Sequence, residues 1–406
     1  MNTLAENKVG TFSQVLLWFG ASVSIAEIIT GTLIAPLGLA KGFLTIIIGH
    51  IIGGIILYLA GYIGAQSGLS ASWSARISFG KYGSYGFSTI NILQLVGWTA
   101  IMIITAAKSM NGVTSELWGF TNEWLWCVVI GILICVWVLL GNKNLLKVNT
   151  VVMFLLLAFS LVLGFVVFNN SGINHPMDGS ISFGAAVELN VAMSLSWLPL
   201  ISDYTRNLKK SKSGTLGSVL GYFFGSILMY SIGLGAAIFT GTSDFVAILL
   251  SAGLGLVALV IVIFSTVTTT FLDVYSAGVS IENINKKVSE KTVAIAACII
   301  GTLMAIFVSM SQYENFLYLI GSAFAPLFAI LFAEYYIVKK REVNQDCKLN
   351  IKNLILWIVG FVAYRLLMPY ATFIGITLPV MLGVGFISVL LNIRRVNGTW
   401  KIAEKI

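Results

Sequence analysis

Trp18–Leu37 reads WFGASVSIAEIITGTLIAPL, and its length matches a bilayer crossing; about 20 apolar residues span the hydrocarbon. Its middle does not suit a lipid-facing helix. Gly20, Ser22, Ser24, Thr30 and Gly31 are small or hydroxylic, Glu27 is a carboxylate at mid-depth, and Pro36 closes the segment. A charge at that depth costs at least about 2.5 kcal/mol, so Glu27 needs water, a cation, a donor or a ligand beside it. The stretch is expected to be a broken helix whose loosened turn offers carbonyls to a binding site.

The rest of the chain agrees with a membrane setting. Of 406 residues, 58% are hydrophobic and 10% charged, and mean hydropathy is +0.94. A soluble domain carries about 25% charged residues. Twelve spans are expected, at 12–37, 42–66, 86–111, 123–141, 148–169, 185–205, 215–240, 247–282, 293–311, 314–338, 352–371 and 373–394. Span 8 is too long for one straight crossing, so a turn is expected before it. With the N-terminus inside, 21 of the 24 Lys and Arg face the cytoplasm, leaving Lys41, Lys108 and Arg365 outside. The positive-inside rule then puts both termini in the cytoplasm of an integral cell-membrane protein. The net charge of +8 sits in short loops, so it does not point to nucleic acid. The short polar start MNTLAENKVG predicts no cleavable signal. No obligate protein partner is evident.

Span 6 reads VELNVAMSLSWLPLISDYTR, and Pro199 breaks its hydrogen-bond ladder just after Ser194, Ser196 and Trp197. Two interrupted spans five apart point to a transporter built from inverted repeats, with a site near the midplane. The chain divides into a first repeat at about 12–169, a second at about 185–338 and peripheral helices at about 352–394, together one transmembrane domain. Gly217, Gly221 and Gly225 in span 7, and Gly49 and Gly53 in span 2, are read as close-packing faces. Residues 67–85 are amphipathic and basic and are expected along the inner surface.

Several blocks resemble the nucleobase:cation symporter-1 family: GYIGAQSGLSASWSARISFGKYGS (61–84), SDYTRNLKK (202–210), TTTFLDVYSAG (268–278) and FAEYYIVKKR (332–341). They fall in the family's order, and the similarity covers essentially the whole chain. Within it the chain looks like the cytosine-permease group, and the start WFGASVSIAEIITG is most similar to its hydroxymethylpyrimidine (thiamin precursor) branch. The resemblance implies the leucine-transporter-like fold: an all-α membrane protein of ten spans in two inverted five-span repeats, plus two peripheral spans. It also implies alternating access coupled to sodium or protons.

Candidate residues follow. Thr268 and Thr269 are consecutive hydroxyls with Ser265 one turn earlier, and hard cations prefer oxygen ligands. By similarity, carbonyls of Gly20, Val23 and Ser265 would complete a sodium cage. The plain alternative is that the Thr hydroxyls bond back to carbonyls one turn earlier. Trp98 matches the family's stacking tryptophan for a flat ring. Either Trp197 or Ser194 takes the opposite wall, depending on register. Asp273, one turn after the threonines, and Glu27 can accept the amino N–H of an aminopyrimidine. This suits hydroxymethylpyrimidine or cytosine better than uracil or hydantoin. The amide usual in the family's span 8 is missing, with Thr270, Asp273 and Val274 in that region. Ser24 lies in the broken turn. Gln94, one turn before Trp98, either reaches the ligand or bonds between helices. Glu27 is alternatively the proton-coupling group. His50 is read as a lone histidine in span 2 and His175 as a loop residue; Asp203, Arg206, Glu282, Glu334 and Lys339 are read as charges at cytoplasmic helix ends.

The expected function is import of a pyrimidine-type ring by a cation-coupled symporter, with cytosine, purine or allantoin-like rings as alternatives. An embedded enzyme is disfavoured: there is no H-E-x-x-H motif, and Cys127, Cys135, Cys298 and Cys347 form no C-x-x-C pair. A channel subunit would favour repeated filter-like segments, which are not seen.

Overall fold

The break expected in span 1 falls at Val23–Ser24. The protein is described from a computed structural model covering residues 8–140, 142–169, 180–241, 255–370, 372–396 and 399–402. Helix α1 (Thr11–Ser22) ends where Val23 leaves helical geometry, at φ −79° and ψ 82°. Ser24 is extended, and its Oγ accepts the Glu27 N–H at 3.4 Å, so a serine cap starts helix α2 (Ile25–Leu33). The two axes differ by 56°. Pro36 lies in the 3-10 turn Ala35–Leu37 that ends the span.

Helix α3 (Leu39–Ser67) forms span 2. A single turn, α4 (Ala71–Ser74), leads into the long helix α5 (Arg76–Trp118) of span 3. Helices α6 (Glu123–Leu140) and α7 (Asn142–Asn169) complete the first half. Span 6 is α8 (Phe183–Ser196) and α9 (Leu198–Thr205), bent by 41° at Trp197. Pro199 sits in the first turn of α9, where a missing N–H breaks no intrahelical bond. Then come α10 (Ser211–Thr240), α11 (Gly255–Ile284), α12 (Glu290–Phe307) and α13 (Tyr313–Phe332), which runs on through a π turn at Ala333–Ile337. The expected start of span 8 at 247–254, its preceding turn and His175 lie outside the described residues. Helices α14 (Ile351–Leu367) and α15 (Thr377–Leu391) are the peripheral pair. A two-stranded hairpin, Ile393–Val396 with Thr399–Ile402, follows, where the sequence reading had only the end of span 12.

Among the described residues, eight helices are long and apolar enough to cross a membrane, the two bent pairs each make one more, and Phe154–Asn169 and Thr377–Leu391 are shorter apolar helices. They fall on the twelve stretches expected as spans, of which ten, counting each bent pair as one, are long and apolar enough to cross. Phe165, Phe307, Leu366 and Phe386 are exposed on the perimeter, as lipid-facing side chains are. The main contacts pair span 1 with span 7, span 2 with span 6, and span 3 with span 8. Exchanging each span with the one five away maps these contacts onto one another.

The glycine face of α10 packs as expected. Gly221 lies over the backbone of Val15, Gly225 over Ser22 and Phe19, and Gly233 over the backbone of Ile28; Gly31 of α2 meets the backbone of Tyr230. On α3, Gly49 faces Asn190 and Gly53 faces Ser194.

Residues 67–85 are tucked inward instead of lying flat on the inner surface. Ala71, Ser72, Ser74 and Arg76 are buried. Arg76 is tolerated there because its Nε donates to Asn283 Oδ1 at 2.7 Å, its Nη2 to Asn283 O at 2.9 Å, and its guanidinium lies 3.6 Å over Trp73. Gly80 turns the chain at φ 73°, so that Lys81 N and Tyr82 N can donate to the carbonyls of Cys347 and Lys348. A Cβ at Gly80 would lie 2.7 Å from Cys347 O. Gly80→Ala is therefore expected to destabilise the protein by about 1–3 kcal/mol, read as a lower melting temperature in detergent.

Asp203 and Glu334 are buried, not snorkelling. Asp203 Oδ1 accepts Ala71 N at 3.0 Å, and Glu334 pairs with Lys340 at 2.8 Å. Glu188 of α8, which the sequence reading did not single out, is fully buried and takes four hydrogen bonds. Tyr364 OH (2.5 Å) and Thr377 Oγ1 (2.6 Å) donate to Oε1, while Ile376 N (2.6 Å) and Thr377 N (2.9 Å) donate to Oε2. The peripheral pair is thereby tied to the first half of span 6.

Candidate functional site

Both helix breaks open on one cavity between α5 and α11. It is lined by Ala21, Ser24, Ala26, Glu27, Trp98, Met102, Met193, Ser196, Trp197, Thr269 and Asp273. Its volume is about 20 Å³, room for about one water. A heteroaromatic ring enters only if the walls part.

The two tryptophans come from opposite sides. Trp98 on α5 packs edge-on against Tyr313 (6.1 Å) and Phe316 (5.5 Å) of α13. Trp197, at the span 6 break, packs edge-on against Trp18 (5.4 Å) and Tyr222 (6.0 Å). Each ring is braced from behind by other aromatics. The Trp98 indole N–H has no hydrogen-bond partner among the described residues.

Asp273 is 4% exposed. No donor among the described residues reaches its carboxyl. An unpartnered buried carboxyl is costly unless a ligand or cation completes it. Glu27 is different. Tyr222 OH donates to its Oε1 at 3.0 Å, and Ser226 Oγ stands 2.5 Å from its Oε2. Ser226 Oγ is in turn 2.6 Å from His50 Nε2.

Of the remaining sequence candidates, Ser24, Trp197 and Thr269 line the cavity, and Ser194 does not. Ser194 faces Gly53 of α3, with its hydroxyl donating to Asn190 O at 3.4 Å. Gln94 lies outside the lining: its amide donates to Asn91 Oδ1 and to Ser196 O, both at 3.0 Å, bracing the span 6 break. Thr270 is fully buried away from the cavity, and its hydroxyl has no partner among the described residues. For the cation, Thr269 Oγ1 donates to Gly20 O at 3.4 Å, which joins α11 to the end of α1. Thr268 Oγ1 bonds back to Phe264 O (2.8 Å) and Ser265 O (3.2 Å), and Ser265 Oγ to Val262 O (3.3 Å). The Val23 N–H bonds to Phe19 O and Gly20 O, while the Glu27 N–H is taken by Ser24 Oγ. This leaves the Val23 carbonyl without a backbone donor among the described residues. No cluster of three or more His, Cys, Asp or Glu suited to a transition metal occurs among the described residues.

Sequence reasoning missed Met102, Met193 and Ser196 in the lining, and His50, Tyr222 and Ser226 around Glu27. Met102 follows Trp98 by four residues, so helical spacing was an available signal. His50 is an ionisable residue inside a span, which by itself merited a functional reading.

A cavity at the junction of two broken helices, inside a bundle of apolar membrane-length helices, is the arrangement of a membrane transporter. The family described as "Permease for cytosine/purines, uracil, thiamine, allantoin" matches residues 3–390, and the chain belongs to it. The cytosine permease of Escherichia coli K12 is 26% identical over 336 residues, covering 82% of this chain and 76% of that protein. The hydantoin permease of Microbacterium maritypicum is 23% identical over 368 residues, covering 84% and 75%. Among solved structures, Mhp1, a nucleobase-cation-symport-1 family transporter, closed with bromovinylhydantoin bound, superposes with TM-score 0.81 at 20% identity, covering 95% of this chain and 92% of that one. The leucine-transporter-like fold is thus the one the chain adopts. The hydroxymethylpyrimidine branch finds no counterpart among these relatives.

Proposed function

We propose that this permease imports a pyrimidine-type ring by cation-coupled alternating access, with hydroxymethylpyrimidine as the substrate. The reading is carried by one observation: an unpartnered buried carboxyl, Asp273, faces a cavity walled by Trp98 and Trp197. The ring stacks on the tryptophans and its amino group donates to Asp273. Rings whose edges carry only carbonyl acceptors there leave Asp273 unpaired. Cytosine, with the same amino donor, is the second reading, and its support is the similarity to cytosine permeases.

For the coupling ion we favour sodium, held by the carbonyls of Gly20, Val23 and Ser265 and the hydroxyls of Thr268 and Thr269. The Thr269–Gly20 contact supports this, since it brings the two ligand-bearing elements together. Loading the ion would pin span 1 to span 8 and so favour the ring-binding geometry. The repeats at 12–169 and 185–338 would rock about the cavity, with both termini on the cytoplasmic side.

Uptake of labelled hydroxymethylpyrimidine and cytosine into proteoliposomes, with and without an inward sodium gradient at fixed pH, tests this. Sodium-driven uptake of hydroxymethylpyrimidine with cytosine as a poor competitor is expected. Uptake of cytosine alone would move the substrate to the second reading. Uptake indifferent to sodium would discard the cage.

A further inference from the structure

The contacts around Ser226 contain one proton more than a carboxylate, a serine and a neutral imidazole supply. His50 Nδ1 is 2.8 Å from the Ile46 carbonyl, which only accepts, so Nδ1 carries a hydrogen. In a neutral imidazole Nε2 is then an acceptor. Glu27 Oε2, if the carboxylate is ionised, is an acceptor too. Ser226 Oγ stands 2.6 Å from the first and 2.5 Å from the second, and it has one hydrogen to give. Two acceptors cannot share that one hydrogen in two short bonds. Both contacts are satisfied only when the group holds an added proton. Either Glu27 is protonated and donates to Ser226, which donates to His50, or His50 is imidazolium and donates to Ser226, which donates to the Glu27 carboxylate.

We propose that Glu27, Ser226 and His50 form a single proton-binding site, and that substrate binds with that proton in place. The proposal rests on the transport reading above for the second half of that statement only. The two forms interconvert without net charge. The Glu27 proton passes to Ser226 Oγ as the serine proton passes to His50 Nε2, leaving carboxylate and imidazolium. The site is buried: Glu27 is 2% exposed, His50 1% and Ser226 fully buried. The groups facing it are tyrosines and one acid. From α10, Tyr222 donates to Glu27, and Tyr230 packs edge-on 5.1 Å from His50. From α13, Tyr313 meets Thr30 of α2 at 2.8 Å. From α11, Asp273 lines the same cavity as Glu27. No Lys or Arg among the described residues bonds to the group, so the added proton is what offsets the Glu27 charge. Loss of the proton would leave a buried carboxylate with no cation bonded to it, with Ser226 facing two acceptors. The Glu27 carboxyl bonds to α10, not to the candidate sodium ligands on α11, so proton and sodium would occupy different places.

Glu27→Gln is the informative variant. Its amide oxygen accepts from Tyr222, and its NH₂ donates to Ser226, which donates to His50. It copies the protonated arrangement and cannot lose the proton. Hydrogen-ion titration of the ligand-free proteins from about pH 5 to about pH 9 is expected to release one more proton from the wild type than from Glu27→Gln. Superimposable curves would overturn the site. Equilibrium binding of hydroxymethylpyrimidine at fixed sodium reads the linkage. Above the midpoint, wild-type affinity is expected to fall by up to about tenfold per pH unit relative to the variant; the ring's own titration is common to both. Equal pH slopes in the two proteins would overturn the coupling to substrate. Absence of binding to the wild type at every pH would sink the substrate reading instead, while the titration still decides the proton site.

Discussion

Replacing Asp273 by Asn is expected to weaken binding of hydroxymethylpyrimidine by about 10- to 100-fold and to leave the melting temperature unchanged or raised. The two halves of this expectation have different causes. A hydrogen bond to a charged group is worth about 1.5–3 kcal/mol, against about 0.5–1.5 kcal/mol for a neutral pair, and the carboxamide offers the ring only the neutral kind. Within the protein, however, the Asp273 carboxyl receives no donor among the described residues. Replacing the carboxyl therefore breaks nothing that holds the fold and removes a buried group that has no partner. Equilibrium binding and thermal unfolding in the same detergent check both. A loss of stability with affinity retained would mean that Asp273 serves the fold and that the ring is read elsewhere.

Glu188→Ala is expected to act in the opposite sense, through stability. Its carboxyl accepts from Tyr364 OH, Thr377 Oγ1, Ile376 N and Thr377 N. Truncation strands four buried donors, and each unsatisfied one costs about 1–3 kcal/mol. Even with partial relaxation or entry of water, the loss is several kcal/mol, comparable to the stability of a typical domain. Low yield or a melting temperature lowered by many degrees is expected. Glu188→Gln should lose less, because its carbonyl oxygen still accepts. A wild-type melting curve for the alanine variant would mean that the peripheral pair is held by apolar packing alone.

The spans were legible in the sequence because a helix in hydrocarbon must be apolar along its length, and that signal is local. The breaks were legible for the same reason. Ser24 and Pro199 are local helix-start signals, and each stands at the beginning of a second half-helix. The aromatic walls were partly legible: Trp98 lies on the cavity, and of Trp197 and Ser194 it is Trp197 that lines it. What stayed hidden were partners distant in the chain. Ser226 is 199 residues from Glu27, and Tyr364 is 176 from Glu188. No periodicity links such pairs, so His50 looked solitary and Glu188 passed without comment. The inward tuck of 67–85 was hidden likewise, since it depends on Asn283 accepting from Arg76.

The contact between α10 and span 1 has a mechanical meaning. At Gly221 and Gly233 the neighbour across the interface is main chain, that of Val15 and Ile28, and at Gly31 it is that of Tyr230. Side chains act as cushions that can change rotamer and let two helices slide; at these three glycines main chain takes their place. Both halves of span 1 and α10 are thus geared together, before and after the break at Val23–Ser24. Any swing of one half of span 1 must therefore carry α10 with it or bend at Val23–Ser24.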